Sequence, residues 1–135
     1  MSGFDTAGLH DLIPYAALLD LQVERAEPDG VVLTMAFRPD LCTSATMMHG
    51  GALMSLADTS GAVLAVLNLP EGSGGTTTLE SKTNLLGAVR GDVVTATSSL
   101  LHAGRSVIVV ETVLTAGEKT VAKTTQTQMV LQPRA

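Results

Sequence analysis

Tryptophan is absent from this chain, and Phe4, Phe37 and Tyr15 are its whole aromatic set. A core made without them must be built from Val, Leu, Ala and Met. The same scarcity argues against a nucleic-acid reader that stacks bases on aromatic platforms. A basic excess is also missing. The net charge is -5, which disfavours a phosphate-backbone binder and means that an anionic ligand needs a local cationic site. There is one cysteine, Cys42, so no disulfide can form within the chain and no cysteine cluster suggests zinc. A lone thiol of this kind reads first as a small hydrophobe in a loop. The first residues lack a basic stretch followed by an apolar one, so no signal peptide is expected. The most apolar run, residues 52–69, contains Ser55, Asp58, Thr59, Ser60 and Asn68 and falls short of the ~20 clean apolar residues of a membrane span. A soluble, cytoplasmic protein with no nucleic-acid and no membrane partner is expected.

What is present suffices for one domain over residues 1–135, with 45% hydrophobic residues to build its core. Residues 8–19 space their apolar positions as a short helix, which Pro14 bends or opens. Residues 21–37 alternate, break at Pro28-Asp29-Gly30, and alternate again, which predicts a β-hairpin. Residues 38–48 read as a loop, and a long helix follows from Gly50 to about Asn68. After the flexible segment 70–75 come four Thr- and Val-rich runs separated by glycine turns, the pattern of an antiparallel meander. A helix lying on a curved antiparallel sheet is an α+β arrangement.

The long helix, near "MMHGGALMSLADTSG", is apolar on nearly every side yet holds one carboxylate, Asp58. Leu53, Leu56, Ala57, Ser60, Val63, Leu64 and Leu67 form one stripe, which should bury against the sheet. Gly51, Met54, Asp58, Gly61, Ala62 and Ala65 form a second stripe of mostly small residues. Small residues let another backbone approach, and a second copy of the helix across a two-fold axis is the expected neighbour. The first-turn N–H groups of a helix lack internal partners and mark its positive dipole end, so they can serve as an oxyanion hole. Gly51 and Asp58 lie within about 20° of one face but about 10.5 Å apart along the axis. Both must approach one reacting carbonyl to within about 3 Å. Within one chain they are too far apart; two antiparallel helices would bring Gly51 of one beside Asp58 of the other. Composite sites at a homodimer interface are therefore expected. Taken singly, Asp58 could be an ordinary surface carboxylate, His49 a cap and Gly50-Gly51 a turn; their conjunction carries the reading.

His49-Gly50-Gly51, four residues, then Leu56-Ala57-Asp58 resembles the H-G-G-x(4)-L-A-D signature of hotdog-fold acyl-CoA thioesterases, nearest to the phenylacetyl-CoA thioesterase-like subgroup. "NLLGAVRGD", residues 84–92, is similar to a second family segment, and the order of elements matches along the whole chain. The resemblance implies a hotdog fold, a curved sheet wrapped around one central helix, with protomers pairing into a homodimer and often a homotetramer. It implies hydrolysis of an aryl- or acyl-CoA thioester, with CoA part of the substrate and neither cofactor nor metal. Asp58 would be nucleophile or general base, the N–H of Gly50 or Gly51 the oxyanion donor, and His49 would set the turn. Thr43, with Ser44 beside it, stands where the family commonly has Asn or Gln. Thr77 falls where some members place an assisting Ser or Thr. Leu86-Gly87-Ala88 replaces an Arg-Pro-Ala, leaving Arg90 as a candidate for the CoA phosphates. Gly61, Ala62 and Ala65 are expected to leave room for an acyl chain. The alternatives are a non-catalytic acyl-CoA or lipid-binding module on the same fold and a hotdog hydratase pairing a histidine with a carboxylate.

Overall fold

The computed structural model describes residues 4–44 and 46–134. The chain opens with two short helices, α1 (Thr6–Leu12) and α2 (Pro14–Leu18). Sequence periodicity suggested one helix here. Pro14 divides it: Ile13 is extended and closes α1, while Pro14 takes the first position of α2, where its missing N–H costs nothing. The hairpin follows as β1 (Gln22–Glu27) and β2 (Gly30–Met35). Glu27 pairs with Gly30 across the Pro28-Asp29 turn, and Arg25 binds both the Asp29 carboxylate and the Gly30 carbonyl. A single 3-10 turn at Pro39–Leu41 leads to the long helix α3 (Gly50–Leu67), and four strands complete the chain: β3 (Thr76–Leu85), β4 (Val94–Ala103), β5 (Val107–Ala116) and β6 (Lys119–Val130).

All six strands form one antiparallel sheet in the order β1-β2-β4-β5-β6-β3. The last four strands are thus not a simple meander. β4, β5 and β6 follow one another, but β3 crosses to the far edge and pairs with β6. Residues 86–93 carry the chain across to β4, which pairs with β2. Register shifts at Val23/Arg25, Thr78/Glu80, Leu100/His102 and Leu114/Thr115 mark irregularities of the kind that sharpen twist and bend a sheet.

Helix α3 lies on one face of this sheet. Its first stripe is buried as expected, with Leu53, Leu56, Ala57, Val63 and Leu64 at most 3% exposed and Leu67 half-buried. Facing it are Val31, Leu33 and Met35 of β2, Val94 and Ala96 of β4, and Ile108, Val110 and Leu114 of β5. Each such Val or Leu side chain stabilises the fold by roughly 1.5–3 kcal/mol. By length and composition α3 could cross a bilayer, but these residues are occupied by the sheet.

Polar side chains interrupt the core along one line. Ser98, Thr112, Thr124 and Thr83 are successive partners across β4, β5, β6 and β3. Ser60 of α3 joins the row through Ser98 at 2.7 Å, Ser98 continues to Thr112 at 2.6 Å, and Thr124 bonds Thr83 at 2.7 Å. This row fixes α3 against the sheet two residues beyond Asp58.

Candidate active site

The start of α3 is held by the strand-like segment before it. The Met48 N–H donates to the Val89 carbonyl and the His49 N–H to the Leu41 carbonyl, both at 2.8 Å. His49 is the N-cap, extended at φ -62°, ψ 136°. Its Nδ1 accepts from the Gly51 N–H at 2.7 Å, so that nitrogen is unprotonated. The His49 carbonyl accepts from Ala52 and, at longer range, from Leu53. Of these first-turn donors, the Gly50 N–H alone has no partner among the described residues. The structure therefore separates two glycines that the sequence left equivalent: Gly51 is engaged by the cap, and Gly50 is the open donor.

Gly50 opens into a depression of about 340 Å³, lined with Thr43, Met48, Leu53 and the segment from Leu85 to Ala88. Thr43 is thereby brought to Gly50, as its place in the sequence suggested, while Ser44 is exposed in the adjoining turn. Arg90 is exposed two residues past Ala88.

Asp58 lies eight residues along α3, about 12 Å farther down the axis. It is exposed in the protomer and lines a second, open depression of about 330 Å³ with Met54, Ser55, Thr78 and Ser81. Thr77 does not reach it. It is exposed and pairs with Met129, on the opposite side of the pleat from Thr78. Thr78 is the β3 threonine beside the carboxylate.

One contact has no counterpart in the sequence reading. Gln126 of β6, 1% exposed, donates from Nε2 to the Asp58 carboxylate at 3.0 Å. The expectation that Gly61 leaves room for an acyl chain fails on the same contact. A Cβ at Gly61 would lie 1.6 Å from Gln126 Oε1, so the glutamine already fills that space. The available signal was the run Thr124-Thr125-Gln126-Thr127-Gln128, which puts polar residues at alternate, core-facing positions of a strand.

Among the described residues, no group of three His, Cys, Asp or Glu side chains could hold a metal. Cys42 is half-buried, its thiol against the Arg38 carbonyl. His10 bonds the Leu21 carbonyl, away from α3.

The sequence profile of the thioesterase superfamily matches residues 45–123, more than half of the chain and inclusive of α3, β3, β4 and β5. The chain belongs to the thioesterase superfamily. Its fold is the hotdog fold, six antiparallel strands with one long helix against them. A conserved protein from Pseudomonas aeruginosa is 30% identical over 88% of this chain and 94% of its own, with a TM-score of 0.83. A thioesterase from Haemophilus influenzae superposes with a TM-score of 0.87 at 24% identity, over 97% of this chain and 93% of its own. A thioesterase family protein from Silicibacter pomeroyi gives 0.86 at 23% identity, over 94% and 96%. No protein of curated function matches the chain in sequence.

Proposed function

We propose that this superfamily member hydrolyses an aryl- or acyl-CoA thioester to the free acid and CoA at sites shared between two protomers. One observation carries the reading: an unpartnered helix-terminal N–H at Gly50 and a solvent-facing carboxylate at Asp58 lie along one apolar helix, too far apart to act on one carbonyl. An antiparallel second copy brings the Gly50 of one protomer to the Asp58 of the other. The edge strand β3 flanks both depressions and leaves Leu79 and Leu85 more than half exposed, with Met54 on α3 exposed in part. Its second edge is unpaired among the described residues, which leaves it open to strand pairing with another copy.

In this site the Gly50 N–H polarises the thioester carbonyl. Asp58 attacks the carbonyl carbon or takes a proton from the water that does. The C–S bond breaks, and CoA leaves as thiolate to be protonated. After direct attack, water then cleaves the acyl–Asp58 anhydride, which releases the acid and restores the carboxylate. His49 holds the Gly50-Gly51 turn, and Thr43 borders the carbonyl subsite. Arg90, exposed and two residues past Ala88 of the Gly50 depression, is the candidate for the CoA phosphates. The half-buried thiol is consistent with a reducing, cytoplasmic setting. His49 spends its Nδ1 on the helix cap, which favours hydrolysis over the acid–base pairing of a hydratase.

The test is free-thiol release from aryl-, short- and medium-chain acyl-CoAs. Wild type should release thiol and Asp58→Ala should not. Gly50→Pro deletes the N–H at a helix position that tolerates proline, and should lower kcat by about 10²–10³. Hybrid dimers of Asp58→Ala with Gly50→Pro carry one intact composite site and should regain activity. Failure of the hybrids to recover would place the site within one chain. No release by wild type would leave acyl-CoA binding without hydrolysis as the function.

A further inference from the structure

The two buried glutamines of β6 are two residues apart on one face and are treated differently. Gln128 is satisfied at both ends: its Nε2 donates to Thr78 at 2.6 Å and its Oε1 accepts from Thr76 at 3.1 Å. Gln126 turns its Nε2 to Asp58 and leaves its Oε1 buried without a partner. Ser81 is its cross-strand neighbour on β3 but does not donate to that oxygen. Exchanging the amide ends would set Oε1 against a carboxylate oxygen, acceptor on acceptor. The observed orientation therefore strands the carbonyl and keeps the N–H on the acid. A stranded buried acceptor is destabilising, and such violations concentrate where function requires them. Gly61 is part of the arrangement. A Cβ there would overlap Oε1 and come within 2.6 Å of Gln126 Cδ. The amide reaches across α3 to Asp58 only because residue 61 has no side chain.

We propose that Gln126 is a positioning residue for Asp58, and that Gly61 is glycine in order to admit its amide. The other groups around the carboxylate, Met54, Ser55, Thr78 and Ser81, carry no charge. The Gln126 N–H is thus the group that fixes the rotamer of the acid. The inference deepens the proposed hydrolysis, resting on it for the kinetic consequence alone.

Four proteins test it: wild type, Gln126→Met, Gly61→Ala, and Gly61→Ala combined with Gln126→Ala. Methionine keeps the length of glutamine and removes the donor. The Asp58 χ1 rotamer is read from side-chain NMR couplings, independently of turnover, and kcat and KM are measured. In Gln126→Met the Asp58 side chain should average over more than one rotamer, because the bond that holds the carboxylate is lost. Its kcat should fall by about 10- to 100-fold with little change in KM. Gly61→Ala should reproduce both effects in the wild-type background and add nothing to Gln126→Ala. The inference is overturned if Asp58 keeps its single wild-type rotamer in Gln126→Met, or if Gly61→Ala costs the same in both backgrounds. If Gly61→Ala does not fold, the Gln126→Met rotamer measurement decides alone. A loosened Asp58 rotamer in a protein that hydrolyses no thioester would sink the proposed reaction and leave the positioning role standing.

Discussion

Ser98→Ala should be far more damaging than its one lost oxygen suggests. The Ser98 hydroxyl stands between Ser60 at 2.7 Å and Thr112 at 2.6 Å, and all three side chains are at most 1% exposed. Removing it takes the partner from two buried hydroxyls at once. At about 1–3 kcal/mol for each stranded group, the loss is about 2–6 kcal/mol, a large share of the ~5–15 kcal/mol that holds a domain folded. Ser60→Ala removes only the end of the chain. Ser98 keeps Thr112, and alanine is the better helix former by about 0.5 kcal/mol, so the net cost should be about 1 kcal/mol or less. The double variant should cost no more than Ser98→Ala, since only Thr112 is then stranded. Urea unfolding at one fixed protomer concentration measures all three, because association adds its own stability. If Ser98→Ala falls within about 0.5 kcal/mol of Ser60→Ala, the three hydroxyls do not act as a connected row and the reasoning fails.

Two further expectations concern the site and its surroundings. His49→Ala removes the acceptor for the Gly51 N–H and should cost about 0.5–2 kcal/mol of stability by thermal unfolding, with a fall in kcat as the turn at Gly50 loosens. Leu79→Lys places a charge on the free edge of β3, where Leu79 is 59% exposed in the protomer. It should shift sedimentation from dimer to monomer and reduce thiol release in parallel; an unchanged dimer would remove β3 from the interface.

The elements were largely legible because each obeys a strong local signal. The 18-residue apolar helix, the strand alternation of β5 and the hairpin at Pro28-Asp29 all follow from spacing. The strand order was not legible. Nothing local in Thr76–Leu85 says that it must wait for β6 rather than pair with the strand that follows it. At the site, the period of the helix placed Gly51 and Asp58 on one face, but a period cannot say which N–H is engaged. The His49 side chain decides that, by a contact over two residues. Thr77 was missed by one position because strand faces alternate, and the irregularity at Thr78/Glu80 hides the phase. Gln126 lies 68 residues from Asp58, beyond any motif.

The crossing of β3 has a consequence for synthesis on the ribosome. β3 emerges before β4 and β5, yet among the described residues its only strand partner is β6, and Thr83 meets Thr124 across 41 residues of chain. Pairings that close such long loops form late. Until β6 emerges, neither edge of β3 is paired, which is the kind of intermediate that draws in chaperones. Gln126 arrives on that same β6 strand. The segment that pairs the inner edge of β3 also delivers the partner of Asp58, so the acid is set in place only as that pairing closes.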